Sequence, residues 1–264
     1  RYTYRLLTIQ QFHRAAALMC SCEYIRQHNP AKWGKDPFRV GLFVGNDTTP
    51  NSLKTAEKNK NLDVDKENPV QIINCPRCGK ELNGKYDYKV VSFPKRMAIK
   101  CSNVNCFFGN PDNDESYLPV VFVDDDIISI LPSLLIGTVD KFARLAWDPK
   151  FTALFGKVRE VCQKHGWKPA TAKSGVNAND VCKHASNPSK NERKMEIDYL
   201  TPPELIIQDE LHLITGPLGT LTGLYETIVE DLCLSKEGIK PKIIASTATI
   251  KNSENQIKWL FARE

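Results

Sequence analysis

A chain of 264 residues, 41% hydrophobic and 25% charged, is long enough to bury one large core or two modest ones and has the composition of an ordinary globular protein rather than of a disordered or fibrous one. No uninterrupted apolar run reaches the ~18–20 residues needed to cross a bilayer, which argues against a membrane-spanning helix. The formal net charge of +5 is spread along the chain, so it permits a polyanionic partner without demanding one.

The opening Arg1-Tyr2-Thr3-Tyr4-Arg5-Leu6-Leu7 has the layout of neither a signal nor a transit peptide, and it reads as the start of a piece of a longer chain. With no secretory signal, the nine cysteines point to a reducing, cytoplasmic setting and to metal binding rather than to a disulfide framework. In chain order, residues 1–28 pass from a short strand-like run into a helix with Phe12, Ala15, Ala16, Met19, Cys22 and Tyr24-Ile25 at roughly helical spacing. Pro30 and Gly34 break it, and Val40 to Gly45 forms a compact apolar strand closed by the polar turn Asn46 to Pro50. Residues 54–69 have little to bury and predict an exposed helix or loop. Leu118 to Val123 and Ser133 to Gly137 read as strands or strand ends, and residues 139–155 as helical and aromatic-rich. Residues 166–197 read as a polar insertion. Leu205 to Gln208 and Lys242 to Ala245 read as buried strands. Between them Leu221, Leu224, Tyr225, Ile228 and Leu232 predict an amphipathic helix with that face on a sheet. Apolar strands alternating with such helices predict an α/β fold with a parallel sheet.

Two cysteine pairs have metal-ligand spacing. Cys75-Pro76-Arg77-Cys78-Gly79 and Cys101-Ser102-Asn103-Val104-Asn105-Cys106 are 22 residues apart, and two such knuckles close a tetrahedral Cys₄ site. Residues 80–100, with Tyr86, Tyr88, Val90, Val91 and Phe93, read as the hairpin between them, which makes this a structural Zn²⁺ ribbon without catalytic chemistry. Cys162-x-x-His165 and Cys182-x-His184, with 16 residues between, form a weaker set. They fit a second zinc or equally free thiols and surface histidines. Cys20, Cys22 and Cys233 read as small packing side chains.

Asp209-Glu210-Leu211-His212 follows the Leu205 strand directly. Two carboxylates at a strand end need a cation or hydrogen bonds to offset their burial. A Mg²⁺ carrying phosphates is one such cation, with the second carboxylate orienting an attacking water. A solvated or capping pair fits the four residues as well.

Taken in order, these elements resemble the core of superfamily 2 helicases. Arg5-Leu6-Leu7-Thr8-Ile9-Gln10 is similar to motif Ia, Gly45 to the family's strand-end glycine, and Gly137-Thr138-Val139-Asp140-Lys141 to motif Ib. Asp209 to His212 is similar to the DExH box and Thr247-Ala248-Thr249 to motif III. The resemblance implies a RecA-like parallel sheet flanked by helices, with the Cys₄ zinc ribbon inserted in it. It implies nucleic-acid contacts from Arg5, Gln10, Gly45, Thr138 and Lys141. Asp209 would hold Mg²⁺ through water, Glu210 would activate the water that attacks ATP, and His212 would couple the box to Thr247 and Thr249. For His212 plain packing is the bland alternative, as are a helix cap for Thr138 and strand-end turns for Thr247 and Thr249. The chain departs from the family in lacking Gly-x-x-x-x-Gly-Lys-Ser/Thr. That departure implies an incomplete first helicase lobe, inactive by itself, within an ATP-hydrolysing parent.

A narrower resemblance rests on Arg1 to Thr8, Gln10 to Leu18, the Cys₄ insert, Pro202 to Ile214 and Gly216 to Thr220, and it is to the DrmA-type helicases of bacterial DISARM anti-phage systems. It implies a cytoplasmic motor on DNA (RNA is not excluded) with a protein partner in a defence complex. The expected organisation is lobe at 1–60, zinc ribbon at 61–118, lobe at 119–160, polar insertion with the possible second metal at 161–200, and lobe at 201–264. The competing reading is a non-motor zinc module that binds nucleic acid or protein.

Overall fold

The computed structural model describes residues 5–111, 116–142, 148–170, 194–214, 216–247 and 253–261. Strand β1 (Val40–Phe43) is buried on both faces, which is why it is a continuous apolar run with no alternation. It pairs in parallel with β4 (Val120–Val121) on one edge and β5 (Leu134–Gly137) on the other. A second parallel ladder joins β9 (Leu205–Gln208) to β10 (Lys242–Ala245) in a register from Leu205–Lys242 to Gln208–Ala245. The expected α/β fold with parallel pairing is therefore present, divided among the described residues into two ladders. A cavity of about 810 Å³ lies between them, lined by three consecutive residues from each of β5 and β9. Successive strand residues point to opposite faces, so the strand edges rather than their faces open onto it.

The structure corrects the expectation that β9 and β10 are buried strands. Ile206 and Gln208 are buried, but Leu205 and Ile207 are about half exposed, and so is Ile244. In a two-stranded ladder only one face is covered, and Ile206 packs there with Phe155, Val229 and Cys233. Helix α6 (Gly216–Leu232) is likewise turned differently from the expectation. Thr222, Glu226 and Val229 face inward, while Leu224 is 62% and Ile228 47% exposed. Two stripes at helical spacing coexist on this helix, and contact with Ile206 and Phe155 selects the one that carries Val229.

Helix α1 (Arg5–His28) runs as one element, and the expected strand-like start lies outside the described residues. Its inner face is Thr8, Phe12, Ala16, Met19 and Cys20. Buried Glu23 and Arg26 close its end: Arg26 donates to both carboxylate oxygens at 2.8 and 2.7 Å and to the Gly34 and Lys35 carbonyls. Burial alone would push the Glu23 carboxyl up, but bonds from Arg26, Gln27 and the Phe38 amide outweigh it and hold it low. The pair fixes the path from α1 through the single-turn helix α2 (Pro30–Trp33) into β1. Residues 54–69 hold a short helix, α3 (Leu53–Asn59), capped by Ser52.

Two segments have more structure than their composition suggests. After β4 comes α4 (Asp124–Ile130), whose three leading aspartates suit a helix N-terminus. The polar insertion contributes β7 (Gly166–Pro169) and β8 (Lys194–Glu196), which flank β6 (Val158–Cys162) in an antiparallel sheet. The expected helix at 139–155 is instead α5 (Val139–Phe142) and a 3₁₀ run at Pro149–Phe155, with residues 143–147 outside the described set. Phe43, Phe142 and Phe151 pack together there, with the Phe142 and Phe151 ring centroids 5.6 and 5.3 Å from that of Phe43. Among the described residues no helix is long and apolar enough to cross a membrane.

Asp126 joins α4 to the cysteine hairpin, its Oδ2 accepting from the Met97 amide at 2.8 Å. Burial pushes its carboxyl up to about 7, against the Met97 bond and the nearby Arg96 charge and helped by Asp125. A carboxyl whose pKa is higher folded than unfolded binds more protons when folded. Its stabilisation is therefore complete below the unfolded value of 3.8 and is lost as pH rises to about 7. Asp126→Asn keeps a carbonyl acceptor without the charge. It should flatten the fall in unfolding free energy between pH 5 and 8 by on the order of a few kcal/mol, measured by urea titration at both pH values. An unchanged pH slope would exclude Asp126 as its source.

Candidate functional site

The carboxylate box sits where β9 ends. Asp209 Oδ1 accepts from the Glu210 amide at 2.9 Å, so the turn is held by the first carboxylate itself. Glu210 adopts the left-handed conformation, φ 53° and ψ 46°, and Leu211–Leu213 follow as a 3₁₀ turn. That twist swings the second carboxylate back beside His212, whose Nδ1 lies 3.4 Å from Glu210 Oε2. The two side chains are about one-third exposed, while the His212 Nδ1 that faces Glu210 is itself buried. Leu211 and Ile214 anchor the turn in a core with Val139, Leu260 and Phe261 of α7 (Ser253–Phe261).

Two backbone hydrogen bonds tie the box to the end of β10. Ser246 N donates to Gln208 O at 2.8 Å, and Leu211 N donates to Ser246 O at 3.0 Å. Thr247, exposed, is the next residue, and Thr249 lies outside the described residues. The box is thus joined to the end of β10 through the main chain of Ser246, without the His212 side chain. Only the adjacency of Ser246 to Thr247 hinted at this in the sequence.

The candidate phosphate contacts divide. Gly45 and Thr138 follow the C-terminal ends of neighbouring strands, since Phe43 pairs with Gly137. Gln10 is exposed on the second turn of α1, and the Arg5 side chain lies outside the described set. The Thr138 hydroxyl is buried with no hydrogen-bond partner among the described residues. Lys141 is 3% exposed, and its Nζ stands 2.8 Å from Asp124 Oδ2, 3.3 Å from Asn51 Oδ1 and 5.0 Å from the Phe43 ring centroid. As it stands this ammonium serves a buried ion pair between α4 and α5.

The cysteine knuckles converge as expected. Sγ atoms of Cys75 and Cys106 are 3.9 Å apart, those of Cys78 and Cys101 are 3.6 Å apart, and all four lie within 4.8 Å of one another. A tetrahedral ion with metal–sulfur bonds of ~2.3 Å sets such pairs about 3.8 Å apart, so the cage fits. Gly79, at φ 74°, donates to Cys75 O at 2.8 Å and makes the tight knuckle. Strands β2 (Tyr88–Ser92) and β3 (Lys95–Ile99) form the antiparallel hairpin between the knuckles. Burial pushes the Cys101 thiol up strongly and Cys106 to about 11. At Cys78 burial also pushes upward, but the Lys80 amide and neighbouring thiols prevail and bring it to about 7. Four sulfurs this close can be thiolates together only around a cation, and the four could hold a metal ion.

The hairpin does not stand apart. Cys75, Cys101, Cys106 and Phe108 share one core with Phe12, Ala16, Met19 and Cys20 of α1 and with Val40 and Leu42 of β1. Arg77, inside the first knuckle, lies 4.2 Å over the Tyr24 ring, and Tyr24 meets Phe107 edge-on at 5.0 Å. Of the weaker set, Cys162 and His165 are together, Sγ to Nδ1 3.6 Å, while Cys182 and His184 lie outside the described residues.

No family model matches the chain. Over an alignment of 277 residues it is 44% identical to the DISARM protein DrmA of Bacillus paralicheniformis. That alignment takes in the whole of this chain but 23% of the relative's length. Every element just described, knuckles and carboxylate box included, falls within that alignment, so the chain is similar to DrmA along its whole length.

Proposed function

We propose that the chain is part of the first RecA-like lobe of an ATP-driven DNA motor that acts in bacterial anti-phage defence with a protein partner. The carrying observation is the pair of backbone hydrogen bonds that join the Asp209-Glu210 turn to Ser246, next to Thr247. A carboxylate box so tied passes any movement at its own turn to the neighbouring strand end. In this reading the two parallel ladders belong to one RecA-like sheet, and the lobe is interrupted at 61–118 by the ribbon and at 161–200 by the polar insertion. Asp209 would hold Mg²⁺, and Glu210 would orient and deprotonate the water that attacks ATP. His212, Thr247 and Thr249 couple that step to a nucleic-acid track held near Gln10, Gly45 and Thr138. The Cys₄ cage would hold zinc, which four thiolates favour, in a structural role, since four protein ligands suffice for a tetrahedral ion. The setting is the cytoplasm.

The test is Glu210→Gln in the full-length parent. Nucleic-acid-stimulated ATP turnover should fall on the order of a hundredfold or more, the scale of a lost general base, with nucleotide binding retained. The chain by itself, without a phosphate loop, should show no turnover. Undiminished turnover in Glu210→Gln would leave the non-motor zinc module as the better reading.

A further inference from the structure

Lys and Arg run throughout the chain, but their excess over Asp and Glu does not. Between Cys75 and Cys106 seven Lys and Arg stand against two Asp and Glu, an excess of five that equals the +5 of the whole chain, so the rest is balanced. Of the two acids Asp87 is buried, whereas Arg77, Lys80, Lys85, Lys89 and Lys95 are all exposed. Zinc among four thiolates would carry about −2, and the loaded ribbon would still be the positive part of the chain.

At the knuckle end this charge meets aromatic rings. Tyr24 and His28, one turn apart on α1, have ring centroids 4.1 Å apart and lie 5.0 and 5.7 Å from that of Phe107, the residue after the last cysteine ligand. His28 Nδ1 is 2.7 Å from the Tyr24 carbonyl oxygen, which fixes the exposed ring. Arg77 covers Tyr24 with its Cζ 4.2 Å from the ring centroid and its other side toward solvent. The Cys75 amide donates to the Lys80 carbonyl at 2.8 Å, so one closed turn carries both Arg77 and Lys80. Just past α1, Trp33 is 45% exposed with the Lys32 ammonium 4.8 Å from its ring centroid. No acid occurs between Tyr24 and Lys35.

Tyr24 and Phe107 are half-buried and serve the joint between α1 and the ribbon. That joint needs neither an exposed indole nor exposed cations. Unpaired bases stack on aromatic rings and guanidinium planes while cations meet the phosphates between them. A duplex keeps its bases stacked on one another, and an acidic peptide brings charge without planes to stack, so neither uses both halves of this surface.

We propose that the face where the knuckles meet the end of α1 binds single-stranded nucleic acid. Bases stack on Trp33, His28 and the outer plane of Arg77, and phosphates lie against Lys32 and Lys80. The surface needs no nucleotide, so it stands apart from the carboxylate box and holds for a motor and for a non-motor module alike. Fluorescence anisotropy of the full chain with a labelled oligothymidylate of about a dozen nucleotides, without ATP, tests it. Trp33→Ala should weaken binding about fivefold or more with the salt dependence unchanged, since it removes stacking alone. Arg77→Glu combined with Lys80→Glu should weaken it about tenfold or more and flatten the log–log salt slope by about 1.4, the share of two phosphates in a single strand. Should that knuckle variant lose its metal or its fold, Trp33→Ala, outside the knuckle, still decides. A hairpin duplex should bind more weakly than the strand. Unchanged strand affinity in Trp33→Ala, or a duplex bound as tightly as the strand, would overturn the proposal, and the first result would leave an acidic protein as the better partner for this face.

Discussion

Cys101→Ser should unfold far more than a hairpin. Cys101 is 3% exposed and lies in the same core as Phe12, Ala16 and Met19 of α1 and Val40 and Leu42 of β1. A structural zinc site is worth ~10–16 kcal/mol apparent in finger peptides, whereas a whole domain is stable by only ~5–15 kcal/mol. With zinc in the Cys₄ cage, as proposed above, losing the ion would remove an amount comparable with everything that holds the surrounding fold together. Hydrogen exchange should show protection lost along α1 and β1, and not only in β2 and β3, both in Cys101→Ser and after chelation. Retention of native protection in α1 after complete metal removal would mean that the ribbon is separable and that the shared core is not what secures the helix.

Lys141→Met should cost about 3–5 kcal/mol in unfolding free energy, because it leaves the Asp124 carboxylate, 1% exposed, without the cation 2.8 Å away. Lys141→Met combined with Asp124→Asn should recover much of that, since no charge is then stranded. The single variant also tests the role implied by resemblance to motif Ib. Unchanged stability with weakened DNA binding would assign the ammonium to a phosphate; lost stability, reversed in the double variant, assigns it to the fold. Urea unfolding and a DNA titration on the same preparations separate the two.

Local patterns in the sequence reached far, and long-range pairing marks where they stop. The knuckles at Cys75 and Cys101 were legible because ligand spacing and a following glycine are local properties. So was strand β1, buried on both faces and therefore continuously apolar. The face of α6 was not, because its sequence offers two stripes and Phe155 and Ile206 select between them. Nor was β8, a three-residue strand defined by its partner β6 about thirty residues earlier. The Lys141–Asp124 pair joins two helices across β5, and nothing in either segment alone marks a buried lysine. The carboxylate box was legible as residues, whereas its attachment through Ser246 was not, since main-chain bonds leave no trace in side-chain identity.

Glu210 carries a consequence for how this lobe can change. A non-glycine residue at φ 53° costs ~1–2 kcal/mol, and the packing of Leu211 and Ile214 behind it offsets that strain. Glycine would relax the turn while deleting the carboxylate. On the role proposed for Glu210, thermal robustness and chemistry pull in opposite directions at this position. Variants selected only for a higher melting temperature would drift toward the relaxed turn, and the better-behaved protein would be the one with its acid gone.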